Sequence, residues 1–436
     1  MNIKHYIATA FLSLSIAAHA QQTPAGPQKE SVLIMNATAH IGNGKVIENS
    51  LIGFKDGKLT LVADATTTRI DPSSYDQVIS ADGKHVYPGF IAVNSSLGLA
   101  EIDAVKATVD DAEIGGIIPH IRSIIAYNAE SKVVESMRPN GVLLAQVAPR
   151  GGRISGTSSV VQLDAWNWED AAIKADDAIH MTWPNGFTRG RWWLGEDAGL
   201  KPNPEYSKQI DEVKSFITQA KAYLNGKQTP RHLPFESMKG LFDGSKKLFV
   251  NVDGEKEMTD VILFAKSVGI PQLIIIGGDE ADRIIPLLKQ HNVAVVVSRP
   301  HRLPSTEDSD VKHPFRLASI LANEGVLTGI DPSGDMERMS TRNLPFYAGT
   351  VAAYGLNKEA AVQLITLNAA KILGIEDFAG TLEAGKDATL FIANGDALDM
   401  RTNILTKAYI QGRDISLDSH QTNLYERYNT KINGKK

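Results

Sequence analysis

The chain has no cysteine, so a disulfide framework and a lipidated N-terminal cysteine are both excluded. It has no excess of positive charge: 45 Lys and Arg stand against 50 Asp and Glu, a net −5. A nucleic-acid or anionic-membrane partner would want a basic surface, so neither is expected. No internal repeat and no low-complexity tract interrupts the 436 residues. Hydrophobic content of 43% with 22% charged residues excludes the disordered and fibrous classes and leaves a globular chain with one or two large cores.

The first twenty residues read as an export signal. Lys4 supplies a positive start, residues 6–18 are mostly apolar, and Ala18-His19-Ala20 is a small-x-small cleavage site. The apolar run is too short for a comfortable bilayer span. The expectation is a periplasmic protein, exported with a signal at 1–20, with no membrane association once the signal is removed. That segment holds one lysine and no acid, so the mature chain is one unit more negative still.

Past a polar linker, 31–35 opens a strand-rich stretch with turns at Gly42-Asn43-Gly44 and Asp56-Gly57. From residue 86 the texture becomes strand–helix alternation. Apolar strand candidates lie at 86–93, 141–148, 158–163, 178–183, 247–252, 272–276, 293–297 and 325–330. Helical periodicity is clearest over 205–224, with Tyr206, Ile210, Val213, Phe216, Ile217, Ala220 and Leu224 on one face, and shorter at 258–267 and 281–290. Eight parallel strands with crossover helices predict an α/β fold of the (β/α)8, TIM-like type; a doubly wound open sheet is the alternative by periodicity. Thr366 can cap a helix over 367–373 that Gly374 ends, and strands return at 390–392 and 407–411.

Three segments carry a family resemblance. Val86-Tyr87-Pro88-Gly89-Phe90-Ile91 leads into Ala92-Val93-Asn94-Ser95-Ser96. Thr366-Leu367-Asn368-Ala369-Ala370-Lys371-Ile372-Leu373-Gly374 follows near the end of the barrel region, and Gly380-Thr381-Leu382-Glu383-Ala384-Gly385-Lys386-Asp387-Ala388-Thr389-Leu390 comes soon after. In this order and spacing they resemble the amidohydrolase superfamily, most closely its imidazolonepropionase-like branch. The resemblance implies a barrel (86–378) with a small β-sandwich built from both ends of the chain (21–85 and 379–420), then a tail (421–436). It also implies hydrolysis of non-peptide C–N bonds, in cyclic amides or acyl-amino acids, at a metal centre.

The ligands that such a centre needs are mostly replaced. Where the family carries His-x-His on strand one, this chain has Asn94 and Ser96, and Ala92 stands for the preceding Asp. Strand four offers His180 in place of a carboxylated Lys or a Glu. Strand five has Asn251 for a His, and strand six ends in Gly277-Gly278. Asp331 on strand eight matches the family's catalytic Asp. A catalytic zinc takes about three protein ligands and an open position for water, so no cofactor is assigned; a divalent metal would require non-standard ligands.

Other residues near predicted strand ends are candidates. Asp253, Glu255, Asp279, Glu280 and Asp335 can bind a hard cation or a cationic group, or serve as loop acids and helix caps. Arg150-Gly151-Gly152-Arg153 lacks a phosphate-loop ending, but Arg150 and Arg153 can grip a carboxylate; the plain reading is a tight connection. Arg189, Arg191, Trp192 and Trp193 read as an aromatic lid, or as side chains packed on the rim. His301 and His313 flank Glu307-Asp308-Ser309-Asp310, a second place for a metal, and Ser95 and Ser96 would need a base to act as nucleophiles. Two functions remain open. One is a hydrolase with Asp331 as catalytic base and Asn94, Ser96, Asn251, Arg150, Arg153 and His180 around a small-molecule substrate. The other is a silent binding protein, self-associating or paired with an active paralogue.

Overall fold

The computed structural model describes residues 23–434 apart from 198, 307, 335 and 336. The expected export signal at 1–20, Glu307 and Asp335 therefore lie outside the described residues.

All eight barrel strands form where the apolar runs stand. In spatial order they are Phe90–Ser95, Val142–Val147, Ile154–Gln162, Ala172–Thr182, Lys247–Val252, Leu273–Gly277, Ala294–Ser298 and Thr328–Asp331. The barrel is nearly closed: the first and last strands lie side by side, without a backbone ladder in the sheet order.

The third strand departs from the expectation of eight parallel strands. Ile154–Gln162 runs antiparallel to both neighbours, while the remaining pairs are parallel. Chain length is the reason. Only residues 148–153 separate strands two and three, and a parallel return needs a dozen or more. Gly151 and Gly152, with φ of 76° and 61°, make the reversal, since left-handed backbone favours glycine.

A second sheet of eight strands is built from both ends of the chain and includes Val32–His40, Val46–Lys55, His85–Pro88, Leu390–Ala393 and Leu405–Ile410. It encloses its own core, with Ile34, Phe54, Leu390 and Tyr409. The apolar run at 86–93 is thus shared between two sheets. Residues up to Pro88 pair with Leu390–Ala393, and those from Phe90 enter the barrel. Gly89 sits at the crossing, where a Cβ would stand 2.9 Å from Thr389 Cγ2 and 3.0 Å from Leu143 Cδ1.

The helix at 205–224 forms as Tyr206–Leu224, burying Ile210, Val213, Ile217 and Ala220. The one at 258–267 extends to Glu255–Val268. The 281–290 segment splits into a 3-10 turn, Ala281–Ile284, and a helix, Ile285–Gln290, because Pro286 has no N–H to continue a helix across it. Helix Leu367–Leu373 plugs the barrel floor, packing Ala369, Ile372 and Leu373 among Ile91, Phe249, Ile274 and Val296. Gly374 ends it at φ 68°. Thr366 does not cap it as expected: its hydroxyl donates to Val362 O at 2.7 Å instead. Lys174 Nζ reaches Leu373 O at 2.8 Å, and Lys247 Nζ reaches Ile372 O at 2.7 Å. Two cations thereby meet the negative end of the plug helix. With the floor sealed, the opposite end is the open mouth.

Candidate functional site

Side chains at the C-terminal ends of the barrel strands converge on one hydrogen-bonded network. Asn94, 1% exposed, takes a left-handed backbone at φ 55°, which Asn tolerates better than most residues. Its Nδ2 donates to Asp331 Oδ2 at 3.1 Å. Arg150 reaches in from the hairpin: Nη1 donates to Asn94 Oδ1 at 2.9 Å and Nη2 to Asn94 O at 2.7 Å. Asn94 N donates to Gln146 Oε1 at 3.1 Å. The amide of Gln146 donates in turn to Ser158 Oγ at 3.1 Å and Asp177 Oδ2 at 2.8 Å. Ser158 Oγ completes the inner end at 2.7 Å from Asp177 Oδ1. Burial pushes the Asp177 carboxyl up, against its bonds to Ser158 and Gln146.

Asp331 accepts from Ser333 as well, at Oδ1 from the backbone N–H (2.8 Å) and at Oδ2 from the hydroxyl (2.6 Å). Both of its oxygens are therefore occupied by donors.

His180 lies deeper in the barrel, 1% exposed, its ring 5.1 Å from that of Phe249. Neither ring nitrogen has a hydrogen-bond partner. Burial, reinforced by the Arg150 charge, holds its imidazolium far down, to about 3, so the ring is neutral. Asn251 Nδ2 bonds Met181 O at 3.4 Å on the neighbouring strand. Ser96 is buried beside Asn94, and Ser95 Oγ accepts from Leu97 N at 3.1 Å. Arg153 stays at the rim, on Thr182 O at 3.3 Å. The structure thus brings Asn94, Arg150 and Asp331 into direct contact and leaves Arg153 apart.

Two residues of weight escaped the sequence reading. Gln146 is one; its signal is a lone amide within the apolar run Val142–Val147. The second is Asp253, read only as one of several loop acids. It opens to solvent at the mouth, with its Oδ1 so close over Gly277 that a Cβ there would stand 2.3 Å away. Crowding by the surrounding protein, then repulsion from Asp279, push its carboxyl up to about 6, against the pull of Arg302.

Several expectations for the rim change. Asp279 is not a helix cap: it takes the guanidinium of Arg302 on both oxygens, and its carbonyl lies 2.8 Å from His313 Nε2. Glu280 Oε2 instead accepts Glu255 N at 2.8 Å, at the start of helix Glu255–Val268. His301 bonds Thr350 Oγ1 at 2.7 Å, so the two histidines serve different elements. Arg191 pairs with Glu196 at 2.8 Å and Arg189 donates to Ser305 O at 2.6 Å. Trp193 is 65% exposed rather than packed on the rim. Among the described residues no three His, Asp or Glu side chains converge to hold a metal ion, and no helix is long and apolar enough to cross a membrane.

The architecture is shared with known enzymes. An amidohydrolase from Thermotoga maritima MSB8 superposes with a TM-score of 0.74 at 22% identity, over 88% of this chain and 99% of its own. Molinate hydrolase gives 0.56 at 15% identity, over 89% and 95%. An adenosine deaminase from Xanthomonas campestris with bound zinc gives 0.55 at 14%, over 92% and 98%. These likenesses establish the fold. No curated protein sequence matches the chain. The amidohydrolase family profile matches residues 199–420, from the fourth barrel strand's loop to the last helix. With half the chain matched by that profile on this barrel, the protein belongs to the amidohydrolase family.

Proposed function

We propose that this chain is an exported, periplasmic member of the amidohydrolase family whose metal centre has given way to an Asp331–Asn94–Arg150 network, and whose barrel mouth binds a small molecule without metal-activated water. One observation carries the reading: the Asn94 amide spans from Asp331 to Arg150, with Nδ2 on the carboxylate and Oδ1 on the guanidinium. A divalent ion wants lone pairs from about three ligands. Here the residue in the ligand position turns an N–H donor toward the acid, and a fixed guanidinium supplies positive charge. The residues present do not fit a catalytic metal. A silent binder of this kind serves as a receptor for its ligand, or as the partner of an active paralogue.

A second reading keeps hydrolysis of non-peptide C–N bonds, the chemistry the family implies, and is favoured by Asp253. Its carboxyl, pushed up to about 6 by desolvation first and then by the neighbouring Asp279, is matched to general acid–base work near neutral pH. The neutral state accepts no proton and the charged state does, so activity by this route would rise with pH through about 6.

Elemental analysis of the mature protein, by inductively coupled plasma mass spectrometry after dialysis in metal-free buffer, tests the proposal. No stoichiometric zinc, manganese or iron is expected. A full equivalent that leaves on chelation, together with C–N hydrolysis, would overturn it.

A further inference from the structure

The β-domain meets the barrel at a short chain of titratable groups. His40 ends strand Val32–His40 and is 7% exposed, its ring stacked on Tyr87 with centroids 4.1 Å apart and planes 3° apart. Its Nδ1 lies 2.8 Å from Oε1 of Glu359, on barrel helix Lys358–Leu364. Its Nε2 lies 2.9 Å from Nδ1 of His85, the first residue of strand His85–Pro88.

Hydrogen-bond rules fix where the protons sit. Glu359 as a carboxylate only accepts, so Nδ1 of His40 carries a proton. In the neutral ring Nε2 must then accept, and the donor is Nδ1–H of His85. One further proton can be absorbed. His40 as imidazolium donates to both neighbours over the Tyr87 face, which attracts cations, while the proton of His85 moves to its Nε2. A second proton has no such outlet. It sets N–H against N–H at the 2.9 Å contact and puts two like charges side by side.

We propose that the His40–His85 contact, anchored on Glu359 of the barrel, is an acid-sensitive latch that holds strand His85–Pro88 against strand Val32–His40, closed with at most one added proton and released when both imidazoles are charged. The charged groups facing it are few. Glu359 and the Tyr87 ring face His40, and Asp396, Lys358 and Glu48 act on His85. Burial first, then His40 and Lys358, hold the His85 imidazolium below the ordinary histidine value, while Asp396 and Glu48 oppose them. A histidine whose folded value is lowered contributes stability above the unfolded value, about 6.5, and loses it as pH falls below that. Strand His85–Pro88 runs through Gly89 into the strand that bears Asn94, so release loosens the segment leading into the mouth.

Hydrogen exchange of the full mature chain, read by mass spectrometry from about pH 7.5 to about 4.5 and corrected for intrinsic rates, tests the latch. In the wild type, residues 85–87 should lose at least about tenfold more protection than the central barrel strands. His85→Gln bonds His40 in either direction and never charges, so it should keep that protection. No selective loss in the wild type, or the same loss in both proteins, overturns the proposal. Ring nitrogen NMR on the wild type is independent of the variant's folding: both rings should be Nδ1–H tautomers at neutral pH, and an Nε2–H form of His40 there would refute the latch.

Discussion

At the scale of single residues, the barrel mouth trades ligand chemistry for amide chemistry. Asn94 has both a donor and an acceptor on one amide, and with them it bridges the Asp331 carboxylate and the Arg150 guanidinium. Below it His180 stands without partners in an apolar layer, and this has a thermodynamic consequence. Its folded value near 3 lies well below the unfolded value of about 6.5. The folded state thus binds fewer protons than the unfolded one between those limits. Its contribution is whole above about pH 6.5 and falls with acid by up to about 1.4 kcal/mol per pH unit. His180→Leu, similar in volume and uncharged, should be at least as stable as wild type at neutral pH and progressively more stable below about pH 6. Urea unfolding at several pH values measures this; parallel pH curves for the two proteins would contradict it. Asn94, Ser96, His180, Asn251 and Asp331 were all identifiable from the motif positions, because each stands at a strand end. The bonding of Asn94 was not identifiable, since Gln146 on the second strand and Arg150 in the hairpin after it lie 52 and 56 residues away.

At the scale of elements, connection length and glycine placement explain where the barrel departs from its parallel plan. The six-residue hairpin at Gly151 and Gly152 reverses strand three and delivers Arg150 to Asn94 in the same stroke. Gly89 does comparable work between sheets. It lets strand His85–Pro88 pair with Leu390–Ala393 and then turn at once into the barrel. The nearest atoms, on Thr389 and Leu143, stand 2.9 to 3.1 Å from where a Cβ would lie, a separation at which the neighbours must give way. Gly89→Ala should cost about 1–3 kcal/mol by overpacking, read as a lower urea midpoint at unchanged slope. A neutral result would mean that the two sheets can part slightly at no cost. The eight strand positions were legible from apolar runs, whereas strand direction was legible only from the length of the intervening loops.

At the scale of the whole molecule, one buried carboxylate ties barrel, β-domain and N-terminal segment together. Asp164 follows the third barrel strand and its side chain is 2% exposed. Oδ1 takes Arg138 at 2.6 Å, and Oδ2 takes Arg413 of the β-domain at 3.1 Å and Ala25 N at 2.9 Å. Removing the charge would leave the buried Arg138 guanidinium and the half-buried Arg413 around a neutral amide. Asp164→Asn should therefore cost about 3–5 kcal/mol. Calorimetry should show the melting of the β-domain separating from that of the barrel, because a tie common to both has been cut. A single, slightly shifted transition would mean that apolar contacts alone couple the two parts.

The sequence by itself determined the α/β class, the order of the barrel strands, the return of the chain's end to the β-domain, and which residue types stand at the strand ends. These follow from local rules: apolar periodicity, turn residues and short motifs act within a few neighbours along the chain. Only the tertiary structure decided that Arg150 clamps Asn94, that both oxygens of Asp331 accept donors, that Asp253 is the mouth acid whose carboxyl is pushed up, and that two distant histidines meet at the domain junction. Each of these depends on long-range contact and on burial, which set hydrogen-bond partners and proton affinities through space rather than along the chain.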